Sequence, residues 1–355
     1  MESGSRLSAY HHLVVATSAT VALCYFGRLV ILPALLGVAA ALLLAPAVDV
    51  LARFRIPRWL SAFFLLFVAL FLAYAASHLL YGLLARFFEE LPHHAAKFER
   101  VFLLLRERID QVVASTRFFA APPQPVVHVS QPVDWPKLLL GSANSVGEFL
   151  FTSSFVPFIT YFLLTWQDHL HRATVQLFDP AQKEDAERTL SEIAQMMRSV
   201  LWGNVLVGLL IGVLSSGLFG VLGVPYFYLL GMVSGLLSMV PYLGFVLALV
   251  PPLLIGLGDL TAGKAVVLMI GVLLLHLLAI NLLVPKLIGQ RVQVNPLAAT
   301  LSLLLWGVLW GGIGLLLAVP IVAAAKIVCD HIEPLQPLGQ WLGDDRKPFK
   351  ASRSA

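Results

Sequence analysis

The sequence contains apolar runs that are long enough to cross a lipid bilayer. About 20 consecutive apolar residues span the hydrocarbon core as a helix, and Leu60–Leu84, Val200–Leu222 and Ala265–Val284 reach that length. Of the 355 residues, 59% are hydrophobic and 12% are charged, which is about half the charge of a soluble domain. The chain is therefore predicted to be an all-α polytopic membrane protein.

The charged residues indicate which side of the membrane each loop occupies. The loop after the second apolar run carries Asp49 against three arginines, and such an excess of arginine favours the cytoplasm. Both termini are then expected on the cytoplasmic side. The start of the chain lacks a short apolar core followed by a small-residue cleavage site, so we expect no cleaved signal peptide. The arginines of this loop are Arg53, Arg55 and Arg58.

Two further apolar stretches, at 225–258 and 296–328, are interrupted by proline and glycine. The halves of the first stretch have about 15 residues, or roughly 22 Å as a helix, which is short of the roughly 30 Å core. Re-entrant helical hairpins are therefore favoured. Two full passes per stretch stay open, because they leave both termini on the same side. The interruptions are Pro241 with Gly244, and the GGIG run at 311–314.

The predicted architecture has about six full spans and two broken re-entrant hairpins, equivalent to about eight membrane segments. Spans 1 and 2 are expected to join tightly at Pro33. Leucine, isoleucine and valine at helical spacing, followed by several prolines, predict a small helical insert after span 3. Asp179 and Pro180 are expected to begin the helix that leads into span 5. The six spans are 12–31, 33–51, 60–84, 147–166, 200–222 and 265–284.

The two broken stretches resemble each other. Both begin at a proline, reach a glycine 18 or 19 residues later, and close with similar endings, LALVP and LLAVP. The predicted topology makes the first hairpin enter from outside and the second from inside. Inverted repeats of this kind form transport sites in other membrane proteins, so the C-terminal half is expected to be an inverted-repeat-like transport core. The matched glycines are Gly244 and Gly314.

These boundaries divide the chain into five predicted parts. They are N-terminal spans 1–3 at 1–85, an extracytoplasmic amphipathic helical insert at 86–145, span 4 with a cytoplasmic amphipathic helix at 146–199, the transport core with paired hairpins at 200–330, and a cytoplasmic polar tail at 331–355.

Polar side chains inside the apolar runs are candidates for a pathway, because intramembrane polar groups are costly and often functional. His276 and Asn281 lie in span 6, and either could instead make an ordinary hydrogen bond between helices. Trp306 and Trp310 could stack on a ligand or simply pack. The prolines and glycines could line a site or be kinks. The full set of candidates is Asn204, Pro241, Tyr242, Gly244, His276, Asn281, Pro285, Trp306, Gly311, Gly312, Gly314 and Pro320.

Several motifs resemble the AI-2E family of autoinducer-2 exporters and related permeases. They are PYLGFVLALVP (241–251), NLLVPKLIGQRVQVNP (281–296), GIGLLLAVP (312–320), PAVDVL (46–51), PRWLSA (57–62) and VPFITYFLL (156–164).

The resemblance implies a transporter of the bacterial inner (plasma) membrane that exports small polar metabolites such as autoinducer-2. It also implies a homo-oligomer, with a pentamer the expected form, and some family members are described as sodium/proton antiporters. The chain departs from the family pattern at Asn204, Phe245 and Asn295, where the family often has glutamine, proline and histidine. These departures leave the substrate open.

Three functions are compatible with these observations. The first is a secondary exporter of a small polar metabolite that works by alternating access. The second is a sodium/proton antiporter, which the absence of Asp and Glu from the span interiors disfavours. The third is a membrane scaffold that transports nothing.

Other classes of function are disfavoured by the sequence. P-loop, GxSxG and HExxH motifs do not occur, so neither ATP-driven transport within this chain nor enzymatic activity is expected. We expect no cofactor, no metal site and no nucleic-acid partner. The expected partners are the lipid bilayer, a small polar metabolite or ion, and further copies of the chain.

Overall fold

The computed structural model describes residues 18–78, 81–82, 143–239, 244–256, 260–288 and 294–344. In these ranges the chain is helical throughout except for short turns, which confirms the predicted all-α class. Residues 86–142 of the predicted insert and 345–355 of the polar tail lie outside the described residues, and the last three residues of the predicted insert begin a helix. Five described helices are long and apolar enough to cross a membrane: Arg28–Arg53, Arg58–His78, Pro180–Leu222, Ala262–Leu287 and Pro296–His331.

The N-terminal helices correct one prediction. A helical segment at 18–26 leads through Gly27 into α1 (Arg28–Arg53), so the predicted join at Pro33 is wrong. Pro33 lies inside α1 and is buried. It removes only one helical hydrogen bond near the start of the helix. The helix is locally interrupted at Gly27 instead, where φ is −82° and ψ is 6°.

Helix α2 (Arg58–His78) follows a short turn after α1. Helix α3 (Ala143–Gln176) contains the predicted span 4 and continues ten residues beyond it. It is not among the five membrane-capable helices of the described part of the chain. The number of spans therefore stays a prediction.

Helix α4 (Lys183–Leu222) joins the predicted cytoplasmic amphipathic helix to the predicted span 5 without a break. Its 40 residues give a length of about 60 Å, twice the hydrocarbon core. As predicted, Asp179 and Pro180 begin the preceding turn, Pro180–Gln182, although the Asp179 side chain makes no capping hydrogen bond there.

The end of α4 is closed by a Schellman motif. Gly223 has a φ of 76°, the amide of Val224 donates to the carbonyl of Phe219 at 2.9 Å, and the Gly223 amide donates to Gly220 at 3.0 Å. The ammonium of Lys264 also donates to the carbonyl of Leu222 at 3.0 Å. These contacts satisfy carbonyl groups that a helix end leaves without partners.

The first broken stretch contains α5 (Phe227–Leu237) and α6 (Gly244–Gly256), which pack on each other. Helix α7 (Ala262–Leu278) packs on α6 and continues through a π-helical turn, Ala279–Leu283, into the short helix Val284–Leu287. The π turn has a local cause, because Pro285 has no N–H to donate to the carbonyl of Asn281. The buried core of this region consists of Phe219, Leu222, Val224, Leu230, Ile255, Leu268 and Val272.

The second broken stretch is α8 (Pro296–His331), and it reverses direction within its length. Gly311 has a φ of 62° and a ψ of −138°, which is not helical. The hydroxyl of Ser302 donates to the carbonyl of Ala318 at 2.8 Å, although 16 positions separate the two residues. In a straight helix these residues would be about 24 Å apart. Residues 296–310 and 312–331 are therefore the two arms of a hairpin.

The chain divides into two compact units. One contains Met1–Phe71, Glu148–Leu206 and Asn281–Ala355, and therefore the second hairpin with the C-terminal helix α9 (Gln336–Leu342). The other contains Leu72–Gly147 and Val207–Ile280, and therefore the first hairpin. The breaks at both predicted positions are confirmed as helical hairpins, and their re-entrant insertion into a membrane stays a prediction.

The turn at Gly311 leads to a stability prediction. Alanine at this position must adopt a backbone conformation that side chains disfavour, so Gly311→Ala should reduce the free energy of unfolding by about 1–3 kcal/mol. Gly312→Ala is the matched control, because its φ is not positive and a Cβ there meets nothing within 4 Å. Thermal unfolding in detergent compares the two variants. Equal melting temperatures would contradict the proposed role of the backbone at Gly311.

Candidate functional site

Each of the two hairpins contains a buried serine whose hydroxyl donates a hydrogen bond from one arm to the other. In the first hairpin, the hydroxyl of Ser234 on α5 donates to the carbonyl of Ala248 on α6 at 2.8 Å. In the second, Ser302 donates to Ala318 at 2.8 Å. Both serines are buried. The accepting alanine stands four residues after the matched glycine in both hairpins, so the internal repeat is visible in the contacts as well as in the sequence.

The serine of the first hairpin compensates for a proline. The carbonyl of Ala248 would normally accept the N–H of residue 252, which is Pro252 and has none. Pro252 is fully buried, so water cannot replace the missing donor, and the hydroxyl of Ser234 takes that place. In the second hairpin the corresponding position is Val322, which has an N–H, and the bond from Ser302 is therefore an additional one.

The matched glycines allow the arms to approach closely near each turn. A Cβ atom at Gly244 would lie 2.7 Å from the carbonyl oxygen of Leu237, and one at Gly314 would overlap the carbonyl oxygen of Trp306. Each glycine thus faces the backbone of a residue seven or eight positions earlier. The predicted equivalence of Gly244 and Gly314 has a steric basis.

The predicted site residues of the first hairpin are only partly described. Pro241 and Tyr242 lie outside the described residues. His276 on α7 is half-buried, and its ring lies 5.6 Å from the ring of Phe245, the residue after Gly244. The structure therefore brings His276 to the beginning of the return arm of the first hairpin.

The predicted residues of the second hairpin lie around its turn. Gly311 and Gly312 are exposed at the reversal, whereas Gly314 and Pro320 are buried in the return arm. Trp310 is buried, and its indole N–H donates to the carbonyl of Cys24 at 3.0 Å.

Trp306 stacks on Trp310 with a distance of 4.3 Å between ring centroids. Trp310 thus holds the second hairpin against the N-terminal segment. The contacts of Trp306 and Trp310 favour a packing role over the alternative of stacking on a ligand.

Asn204 and Asn281 occupy separate elements of the same unit. Asn204 is partly buried on α4, and Asn281 is exposed in the π-helical turn. Pro285, which causes that turn, is also exposed. The exposed side-chain amide of Asn281 places a polar group on an otherwise apolar helix.

A cluster around Arg58 was missed by the sequence analysis. Its guanidinium donates to the carbonyl of Leu164 at 3.0 Å and to the Gln167 side chain at 2.9 Å, and it pairs with Asp168 at 3.1 Å and Asp49 at 3.3 Å. It thereby joins α1, α2 and α3. Asp49 and Arg58 stand in the PAVDVL and PRWLSA motifs, which was the available signal. Asp168 lies 110 positions away, and nothing in the sequence indicates that contact.

Asn295 was noted only as a departure from a family pattern, and it has two structural roles. Its side-chain oxygen accepts from the amide of Ala298 at 2.7 Å and caps the first arm of the second hairpin. Its side-chain amide donates to the carbonyl of Trp341 at 2.5 Å, and its backbone amide donates to Leu342 at 2.9 Å. The C-terminal helix is thereby fastened to the base of the hairpin.

Apolar helices of membrane-spanning length together with paired, proline- and glycine-broken hairpins define a multi-pass membrane protein of the transporter class. The sequence profile described as AI-2E family transporter matches residues 14–333. The chain belongs to the AI-2E transporter family.

Individual relatives agree with this assignment. YrrI of Bacillus subtilis (strain 168) is 27% identical over 228 residues, which are 64% of this chain and 61% of YrrI. A Haemophilus influenzae protein is 26% identical over 324 residues, or 89% of this chain and 90% of that protein. Both bear the provisional description of a transport protein. The AI-2 transport protein TqsA of Escherichia coli (strain K12) is 22% identical over 322 residues, or 91% of this chain and 92% of TqsA.

Coverage differs among the relatives. The chain spans less than two thirds of YrrI, and it also spans 53% of a second Bacillus subtilis relative, YueF. The matches to the Haemophilus protein and to TqsA run over nearly the full length of both partners.

The difference between the two hairpin serines can be measured. Ser234→Ala leaves the buried carbonyl of Ala248 without any donor and should cost about 1–3 kcal/mol of stability. Ser302→Ala removes an additional bond and should cost about 0.6 kcal/mol, the average for hydrogen bonds between membrane helices. Melting temperatures of the two purified variants test this order. The reverse order would show that Pro252 does not determine the role of Ser234.

The Arg58 cluster should stabilise the N-terminal helices. Arg58 is 28% exposed, and Arg58→Ala removes hydrogen bonds to charged groups and should cost about 1.5–3 kcal/mol. Arg53→Ala, a change at an exposed arginine at the end of α1, should cost much less. Thermal unfolding of both variants in detergent gives the comparison, and an equal loss would argue against the cluster.

Proposed function

We propose that the protein is a secondary exporter of small polar metabolites such as autoinducer-2, and that it works by alternating access around its two broken hairpins. The matched serine-fastened hairpins are the observation that carries this proposal. Interrupted helices within membranes are tolerated where protein or water satisfies the freed backbone groups. Broken, repeated elements of this type form substrate sites in other transporters.

The polar groups of the hairpins suit a neutral, hydroxyl-rich substrate. Such a molecule requires hydrogen bonds rather than a charged partner. The exposed backbone at Gly311 and Gly312 and the exposed amide of Asn281 provide donors and acceptors. Asn204, Pro241 and Tyr242 are assigned to the same pathway by the proposal.

A sodium/proton antiporter is the second candidate, and His276 is the observation that favours it. Its imidazole stands beside the first hairpin and could carry a proton. The predicted span interiors contain no Asp or Glu, which weakens this alternative because cation exchange normally uses an intramembrane carboxylate.

The proposal places the protein in the bacterial inner membrane with both termini in the cytoplasm. The assembly is proposed to be a homo-oligomer, with a pentamer as the proposed form. The insert at 86–145 is proposed to be extracytoplasmic.

A leucine at the turn of the second hairpin tests the exporter proposal. Gly312→Leu has room for its side chain, because a Cβ there meets nothing within 4 Å, so the protein should fold. It should reduce metabolite export by roughly an order of magnitude, since small displacements at a substrate site have effects of that size or larger. Gly217→Leu is the matched control, because Gly217 on α4 is also exposed with open space around it.

Export is measured by untargeted analysis of the medium of cells with and without the protein, and proteoliposomes test the metabolites found. Asn281→Ala should also reduce their export. Proton flux that depends on sodium, without metabolite movement, would support the antiporter instead. Unchanged export in both Gly312→Leu and Asn281→Ala would favour a scaffold that transports nothing.

A further inference from the structure

A second polar feature lies away from the hairpin turns. It is a cavity of about 530 Å³ between α4 and the end of the helix that follows the π turn. We call it the cationic cavity, because Arg198 and Lys286 both line it together with Gln195, Ser199 and Trp202. Its lining residues, all within the described part of the chain, include no carboxylate.

Arg198 is the central observation. Its Nε atom is buried and has no hydrogen-bond partner in the described structure. A guanidinium stays charged at any physiological pH and carries five N–H donors. A buried donor without a partner costs free energy and requires an explanation. An anion in the cavity would supply the acceptor.

The wall of the cavity is held in place by two contacts to one residue. The hydroxyl of Ser199 donates to the carbonyl of Ile288 at 2.9 Å. Gly203 lies so close to Ile288 that a Cβ atom would overlap the Ile288 side chain. These contacts hold the helix end that carries Lys286 against α4. Arg198 and Lys286 therefore line the same cavity.

The neighbouring carboxylates have basic partners of their own. Glu192 lies 3.7 Å from the ring of His331, and Asp330 pairs with Lys326. Glu192, Lys326 and Asp330 line an adjacent cavity of about 280 Å³. Neither carboxylate lines the cationic cavity, so Arg198 and Lys286 share that cavity with no acidic side chain.

We propose that the cationic cavity binds a phosphate group. Guanidinium groups hold phosphate through paired hydrogen bonds, and a lysine adds a second charge. Basic pockets between membrane helices bind anionic lipid headgroups, and the exposed indole of Trp202 is typical of the membrane interface. A phospholipid headgroup and a free phosphate-bearing molecule share this chemistry.

Lipid binding by the purified full-length chain tests the proposal. The probes are phosphatidylglycerol, phosphatidylcholine as the zwitterionic comparison, and inorganic phosphate, with binding measured by native mass spectrometry and by the shift in melting temperature. Arg198→Gln should weaken binding about tenfold or more, and Lys286→Gln should weaken it less because Lys286 is exposed. Arg53→Gln is the control for loss of an exposed charge at another helix end.

The melting temperature without ligand separates ligand binding from a purely structural role for Arg198, because a structural role predicts that Arg198→Gln lowers it. In the absence of ligand, Arg198→Gln should keep or raise the melting temperature, because it removes a buried N–H donor that has no hydrogen-bond partner in the described structure. Tight binding of phosphatidylglycerol alone assigns the cavity to a lipid headgroup, and tight binding of inorganic phosphate assigns it to a soluble ligand. Equal binding of both lipids without phosphate binding, or unchanged binding by Arg198→Gln, would overturn the proposal.

Discussion

The need to satisfy backbone polar groups away from water governs this structure. A proline inside an apolar helix leaves one carbonyl without its helical donor, and in a bilayer no water replaces it. Pro252 is fully buried, and the hydroxyl of Ser234 reaches across the first hairpin to the carbonyl that Pro252 leaves unpaired. Helix α6 can therefore continue through Pro252, because the partner arm supplies the missing donor.

Close packing of the arms depends on the same constraint. A serine side chain is short, so its hydroxyl reaches a backbone carbonyl on the facing arm only if the two backbones approach closely. Gly244 and Gly314 provide that approach, since each faces a backbone carbonyl that a Cβ atom would crowd. Small residues play this part generally where membrane helices meet. In both hairpins the glycine allows the arms to approach closely, and the serine then forms a hydrogen bond between them.

The sequence predicted the positions of the breaks well, because proline and glycine act on the local backbone. It predicted the join at Pro33 wrongly, because a proline near the start of a helix costs only one hydrogen bond. The serine bonds and the Arg58 cluster could not be predicted, because a pattern of apolar spacing does not say which distant carbonyl or carboxylate a polar side chain reaches. Pro241 and Tyr242 lie outside the described residues, so their part in the site stays a prediction.

Both hairpins have a hydrogen bond from a serine to an alanine carbonyl, but the two bonds differ in how much the accepting carbonyl depends on them. Loss of the Ser234 bond leaves the carbonyl of Ala248 without any donor, whereas loss of the Ser302 bond leaves Ala318 the helical N–H of Val322. Breaking the serine bond when the arms separate therefore costs more free energy in the first hairpin than in the second. Under the proposed alternating access, the arms of the second hairpin are expected to separate more readily than those of the first, while Asn295 and the C-terminal helix hold the base of the second hairpin.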